Sequence, residues 1–353
     1  MSQDTVSESP ITEQLSQTNS ISRRRLVLGV VARAASRNTG VLAGLAVLSI
    51  FMTLTRPVFL TWGNITNIVG ANSVILVLAI GATFVIISAG IDLSAASAAA
   101  LAGMSFGVLL DLGWGATSAV SGTLLVGLVL GLINGVLIAY VRVPFLVVTL
   151  GTLSVFGSLA LVLKQGQTIN TFSLPGFQPV YRFVSGEVAG ITYLLIFDML
   201  VVLCAAFTLR YTSFGRAVFA VGSNAEAAHL NGINVARTVL SIYVLAGMFA
   251  ALASLIQVGR LTGASPNIDS NLLLTVIAAV LIGGTAYSGG EGGVGGTVLG
   301  VLFLGIIQNA LTLSDISTFW RGTVNGLVLI AAVTLGVARQ HGWFAKLRPA
   351  AFG

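Results

Sequence analysis

Side chains able to do acid–base, nucleophilic or metal chemistry are few in this sequence, and they are scattered. His229 and His341 are its histidines, Cys204 its one cysteine, and Lys164 and Lys346 its lysines. Neither lysine completes a G-x-x-x-x-G-K-[ST] loop, so no phosphate-cradling P-loop is expected. Neither histidine has carboxylate or thiolate company at metal-ligand spacing. A lone cysteine excludes an internal disulfide. The expectation is therefore a chain with no catalytic site, no metal and no cofactor: not an enzyme. The carboxylate that stands out is Asp198, in the middle of the apolar run YLLIFDMLVVL. An acid at the centre of a bilayer costs about 2.5–3.5 kcal/mol on insertion scales. It marks either a proton- or ion-coupling group or a carboxyl that is protonated or hydrogen-bonded inside a bundle.

The remaining polar groups in apolar runs are uncharged: Asn72, Asn134, Thr149, Thr152, Ser154, Gln257, Gln308, Asn309 and Asn325. Amides and hydroxyls without fixed charge suit a path for a neutral, hydroxyl-rich solute. Asn72, Gln308, Asn309 and Asn325 are the candidate pore-lining residues. Any of them can instead join helix to helix, at about 0.6 kcal/mol per contact.

The elements that must position these groups are membrane helices. The chain is 56% apolar and 8% charged, against about 25% charged for a soluble domain, so its surface cannot face water. Forty-two glycines against seven prolines suit close-packed membrane helices. The fold expected is all-α and polytopic, with about ten spans near 40–55, 67–89, 94–112, 116–140, 145–163, 190–209, 238–258, 272–288, 293–313 and 321–338. The membrane domain is thus 40–338. Residues 1–39, rich in Ser, Thr and Gln and ending in an Arg cluster, form a disordered tail, and 339–353 a short basic one. The run from Gly40 comes too late and continues too long for a cleaved signal peptide.

Lys and Arg set the orientation. With the N-terminus cytoplasmic, inside segments hold Arg23, Arg24, Arg25, Arg33, Arg37, Arg142, Arg210, Arg216, Arg237, Arg339, Lys346 and Arg348. Outside segments hold Arg56, Lys164, Arg182, Arg260 and Arg321. Both termini are then cytoplasmic, and the net charge of +6 reflects loop placement, not nucleic-acid binding. The largest outside loop, Lys164 to Ala189, is long enough to form a docking surface.

Two glycine-rich breaks interrupt the spans. Gly90-Ile-Asp-Leu-Ser94 reads as a helix end, with Gly90 as terminator and Asp92 or Ser94 as N-cap, and equally as a hinge at the inner mouth of a path. The stretch from Gly283 and Gly284 through Gly289, Gly290 and Glu291 to Gly296 is a second. Glu291 reads as an N-cap-type acid or a salt-bridge partner. Broken backbone at membrane depth requires protein or a water-filled cavity to satisfy it. The breaks fall in corresponding helix pairs of the two halves, hinting at an internal repeat. The longest polar interruption of the second half is the cytoplasmic loop Ser213–Arg237. Its middle predicts a short amphipathic helix with Asn224 as N-cap, Glu226 in the first turn and Gly232 as stop. Such a capped helix fits a groove on a soluble partner.

Taken together, these stretches resemble the permease subunits of bacterial ABC importers for ribose, xylose, arabinose and similar sugars. The resemblance rests on PVFLTWGNITN at 57–67, GIDLS at 90–94 with AGM at 102–104, and PFLVVTLGTLS at 144–154. It continues through TSFGR at 212–216, AVGSN at 220–224, IAAVLIGGT at 277–285, GGEG at 289–292 and NAL at 309–311. It covers about residues 40 to 338 in the family's order. It implies an inner-membrane protein whose pore is shared with a second permease copy or paralogue. It also implies two ATP-binding subunits at the cytoplasmic face and a periplasmic sugar-binding protein at the outer face. The segment with Asn224, Glu226, Ala227, Ala228, Leu230 and Gly232 looks like the coupling helix that seats in the ATPase. Departures are Ala95-Ala96 where a pair such as Val-Gly usually follows GIDLS, His229 in the coupling segment, and Asp198 in a usually apolar span. They leave the sugar open: ribose, xylose, arabinose, galactose, inositol, a sugar-like signalling molecule or a nucleoside. The other reading is an ion-coupled secondary transporter of a small polar solute, centred on Asp198.

Overall fold

The computed structural model describes residues 39–267, 270–317 and 319–340. Most of the two expected tails lies outside them. The chain is mostly helical: α1 (Thr39–Thr55), α2 (Trp62–Ile87), α3 (Ala95–Asp111), α4 (Ala116–Ala139), α5 (Phe145–Val162), α6 (Gln178–Ser185), α7 (Tyr193–Tyr211), α8 (Ser213–Ser223), α9 (Ala225–Leu230), α10 (Val235–Leu261), α11 (Ser270–Ile282), α12 (Val294–Leu313) and α13 (Trp320–Gln340). Six of these, α2, α4, α5, α7, α10 and α12, are long and apolar enough to cross a membrane. Shorter apolar stretches lie in α1, α3, α11 and α13.

The helices are apolar nearly all round, so sequence period does not say which are central. Burial does. The most apolar window of α2 is 78% buried, and that of α7 is 28% buried. α2 and α10 form the centre, with α3, α4, α11 and α12 packed on them. Their approach is set by small residues. Gly127, Gly131 and Gly135 recur every four residues along one stripe of α4. A Cβ at any of them would overlap the backbone of α10 at Gly247, Tyr243 and Leu240. Such stripes let helices dock where apolar burial drives nothing, because lipid is equally apolar.

The connections collect at two ends. At one lie α8, α9, the α2–α3 break and the α11–α12 break. At the other, Ile169–Asn170 pairs antiparallel with Gly263–Ala264, and Glu187–Val188 with Ile191–Thr192. The stretch read as an open outside loop thus holds α6, a 3₁₀ turn at Pro175–Phe177 and these short ladders. Among the described residues the one ion pair, Lys164 with Asp111 at 2.6 Å, also sits there and is exposed.

The stretch Ser213–Arg237 carries more structure than the single short helix expected. Ser213–Ser223 is itself helical, opened by the Thr212 hydroxyl accepting from the Gly215 N–H at 3.0 Å. Val218 and Val221 turn into the bundle, and Phe214 stacks on Phe84 of α2 at 6.3 Å. Arg216 had hidden this i, i+4, i+7 apolar face.

Candidate functional site

The two glycine-rich breaks end their first helices in the same way. At the end of α2 the Ala89 N–H bonds to the Ile86 carbonyl (2.9 Å) and the Gly90 N–H to that of Val85 (3.0 Å). At the end of α11, Gly284 N–H reaches Leu281 (2.9 Å) and Thr285 N–H reaches Val280 (3.3 Å). Both are Schellman motifs, and each needs a left-handed residue at its turn. Gly284 supplies it in one (φ 83°). In the other it is Ala89 (φ 62°), not the expected terminator Gly90. Gly90 lies in a tight space: a Cβ there would be 3.1 Å from the Tyr243 hydroxyl.

Beyond that turn, Asp92 and Ser94 do not cap α3 as expected. Ser94 occupies the cap position, but its hydroxyl donates to Asp92 Oδ1 (2.6 Å), which also accepts the Ser94 N–H (2.8 Å). Asn134 of α4 donates to the same hydroxyl at 2.8 Å, and Tyr243 of α10 reaches the Ile91 carbonyl at 3.4 Å. The break is held by a buried polar chain from two neighbouring helices. Burial pushes the half-buried Asp92 carboxyl above the ordinary carboxylate range, opposed by its two hydrogen bonds from Ser94.

The second break folds against the first. Gly289 and Gly290 are both left-handed (φ 80° and 74°), and Gly290 N–H donates to the Ile87 carbonyl at 2.8 Å. Gly283, at the start of this break, lies against Gly296 of α12 with no room for a Cβ on either. Glu291 is exposed and in no described ion pair. The N-cap of α12 is Gly293, with no side-chain cap, so Glu291 takes neither role expected of it.

At the same end, α9 has the caps its residue types predict. Asn224 Oδ1 accepts the Ala227 N–H at 2.9 Å. Glu226 lies in the first turn. Gly232 (φ 84°) ends the helix, its N–H on the His229 carbonyl and that of Ile233 on Ala228, a third Schellman motif. Ala228 is the inward anchor, 5% exposed. Glu226, Ala227, His229 and Leu230 face outward, Leu230 at 81% exposure. A cleft of ≈ 810 Å³ runs between α9 and the end of α4, lined by Arg142, Glu226 and His229 among others.

The amides considered for a path sit between helices. Asn64 and Asn309 interlock, Nδ2 to Oδ1 in both directions at 3.1 and 2.8 Å, joining α2 to α12. Asn72 donates to the Ile68 carbonyl and packs on Gly305. Thr83 and Thr297 share a hydroxyl bond of 2.7 Å. With Ile87–Gly290, these contacts make one antiparallel polar seam from end to end. Asn325 of α13 donates to Thr275 of α11 at 2.7 Å. Gln308 is half-buried on α12. Asp198 accepts from Ser73 of α2 at 2.7 Å, and its other oxygen is buried with no partner among the described residues. Ser73, Thr83 and Thr297 were not among the polar residues singled out from the sequence, and their partners lie on other helices.

Comparison with known proteins places this geometry. Residues 64–333 match the family described as the permease component of the branched-chain amino acid transport system. The ribose import permease protein RbsC of Escherichia coli K12 is 34% identical over 299 residues, covering 85% of this chain and 93% of that protein. RbsC of Bacillus subtilis is 38% identical over 299 residues, covering 84% and 91%. The xylose transport system permease protein XylH of Haemophilus influenzae is 33% identical, covering 83% and 94%. No solved structure matches the chain.

Proposed function

The chain belongs to this family of transport-system permease components, and on that premise we propose that it is the membrane subunit of an ATP-driven importer for a monosaccharide or similar neutral polyol. It crosses the inner membrane ten times, through the six long helices and the four shorter ones, with both termini cytoplasmic. Residues 40–338 form the permease domain, and the segments before and after it are tails. A separate ATP-binding subunit docks at the cytoplasmic face, a periplasmic binding protein at the outer face, and a second permease copy or paralogue completes the pore.

The observation that carries this reading is α9. It is capped at both ends, anchored inward by Ala228, and presents an exposed Leu230 at the end where both helix breaks meet. An apolar knob on a short, rigid, solvent-facing helix suits a groove on a soluble partner, and this is the coupling role assigned to Asn224, Glu226, Ala227, Ala228, Leu230 and Gly232. The breaks at Gly90, Asp92 and Ser94 and at Gly283, Gly284, Gly289 and Gly290 act as the gate. Of the candidate path residues, Gln308 is the one whose side chain makes no described hydrogen bond at all, whereas Asn72 is tied to its own helix through the Ile68 carbonyl, so Gln308 is the best placed to meet solute.

The test is purification in gentle detergent from the native membrane, with and without Leu230→Glu. A P-loop ATPase should accompany the wild-type chain and be lost from the variant while membrane insertion persists. A wild-type preparation free of ATPase that still moves solute in liposomes overturns the reading.

A further inference from the structure

We propose that Gly222 is the positioning residue through which α9 moves both helix breaks together, with the Ile87 carbonyl as their common contact. This rests on the permease reading above and assigns the transmission step within it.

Three segments converge on that carbonyl. Ile87 is the last residue of α2, and its carbonyl is among those a helix end leaves unmatched. Gly290, in the break between α11 and α12, takes it through its N–H at 2.8 Å. Gly222, in the last turn of α8, lies on the same carbonyl. A Cβ there would overlap it and come within 2.8 Å of the Gly290 nitrogen. Ser223 backs onto Gly290, whose added Cβ would meet Ser223 Oγ at 2.5 Å and Cα at 3.0 Å. Gly289 in turn faces Ala89, the left-handed residue of the first break, so closely that an added Cβ would lie 2.7 Å from that of Ala89.

The link from α9 to this junction has no slack. Asn224 closes α8 through its backbone N–H on the Ala220 carbonyl (3.0 Å) and opens α9 through its side chain. One residue is both caps, so no free residue separates the helices. The junction itself is backbone against backbone. Side-chain contacts absorb a small displacement by changing rotamer, whereas close-packed backbone passes it on.

Gly222 is glycine for space alone. It is not among the residues with positive φ, and it lies within a helix. By propensity, alanine there would stabilise α8. Any loss from Gly222→Ala therefore reports the contact.

The experiment uses the full importer, with its ATPase and binding protein, in liposomes. ATP hydrolysis and solute uptake are read from the same preparation for wild type, Gly222→Ala, Ser223→Ala, Gly290→Ala and Gly290→Ala with Ser223→Gly. Gly222→Ala should keep its ATPase and hydrolyse ATP at near the wild-type rate while solute moved per ATP falls about tenfold. Ser223→Ala loses a bond within its own helix, to the Phe219 carbonyl, and should behave as wild type. Should Gly222→Ala fail to assemble, the Gly290 pair decides: removing the Ser223 side chain should restore at least about threefold of the coupling that Gly290→Ala loses. Unchanged solute per ATP in Gly222→Ala, hydrolysis and uptake falling in equal proportion, or no rescue of Gly290→Ala overturns the junction. Failure of the wild-type chain to recruit any ATPase instead overturns the permease reading beneath it.

Discussion

The Asn64–Asn309 interlock decides between a helix seam and a solute path, and its cost can be worked out. Asn64→Leu removes two bonds to Asn309 and a third, Nδ2 to the Phe59 carbonyl at 2.8 Å, that holds the turn before α2. It also strands the Asn309 amide. Hydrogen bonds between membrane helices average about 0.6 kcal/mol. A stranded buried polar group adds about 1–3 kcal/mol. Because Asn309 is half-buried, the stranding falls at the low end of that range, and Asn64→Leu should cost about 3 kcal/mol. Asn309→Leu should cost less, about 1–2 kcal/mol, because Asn64 keeps its bond to Phe59. The double variant should cost about 2 kcal/mol less than the sum, because the two shared bonds are counted twice and no amide is left stranded. The assay is a double-mutant cycle by detergent-induced unfolding in mixed micelles, with uptake kinetics on the same variants. A coupling below about 0.3 kcal/mol refutes the interlock. A change in the apparent affinity for solute in Asn309→Leu refutes the assignment of this residue to the seam.

Two further outcomes follow from buried carboxyls. Burial raises the Asp92 carboxyl above its unfolded value. Its stabilising contribution is therefore full below the unfolded pKa and is lost as pH rises through the folded one. Asp92→Asn keeps an acceptor for Ser94 without the charge. Its thermal unfolding at neutral pH should come at or above the wild-type temperature, with the gap narrowing as pH falls toward about 4. A variant less stable at neutral pH than at acid pH, relative to wild type, contradicts this. Asp198→Asn keeps an acceptor for Ser73, so ATP-driven uptake should stay within about twofold, while Ser73→Ala leaves the carboxyl without its bond and costs about 1–3 kcal/mol in unfolding. Uptake abolished by Asp198→Asn and dependent on an ion gradient would establish the ion-coupled reading instead.

Local structure was legible wherever a residue type has one backbone job. Asn224 and Gly232 cap α9 as their chemistry predicts, and the Gly-rich breaks fall between helices where expected. Facing was not legible. Helices apolar on every side have no polar stripe to orient them. Asn72, Asn309 and Asn325 thus read equally as path or seam until their partners were in view. The gap at Ala89 has a related cause. Glycine marks a left-handed turn only statistically, and here the neighbour adopts it while Gly90 sits in tight quarters beside the Tyr243 hydroxyl. α8 was missed because the charge at Arg216 outweighed a short apolar periodicity.

The seam between α2 and α12 has a consequence for how the protein is made. Asn64 and Asn309 are 245 residues apart in the chain. At roughly 5–20 residues per second of synthesis, α2 is complete for some ten to fifty seconds before its partner exists. During that interval this most buried helix stands in the membrane with Asn64 lacking its Asn309 partner, Thr83 lacking Thr297 and the carbonyl of Ile87 open. Nascent α2 must be sheltered by the insertion machinery or by temporary neighbours. A truncation that removes α12 should therefore leave a chain that is inserted yet cleared by membrane quality control.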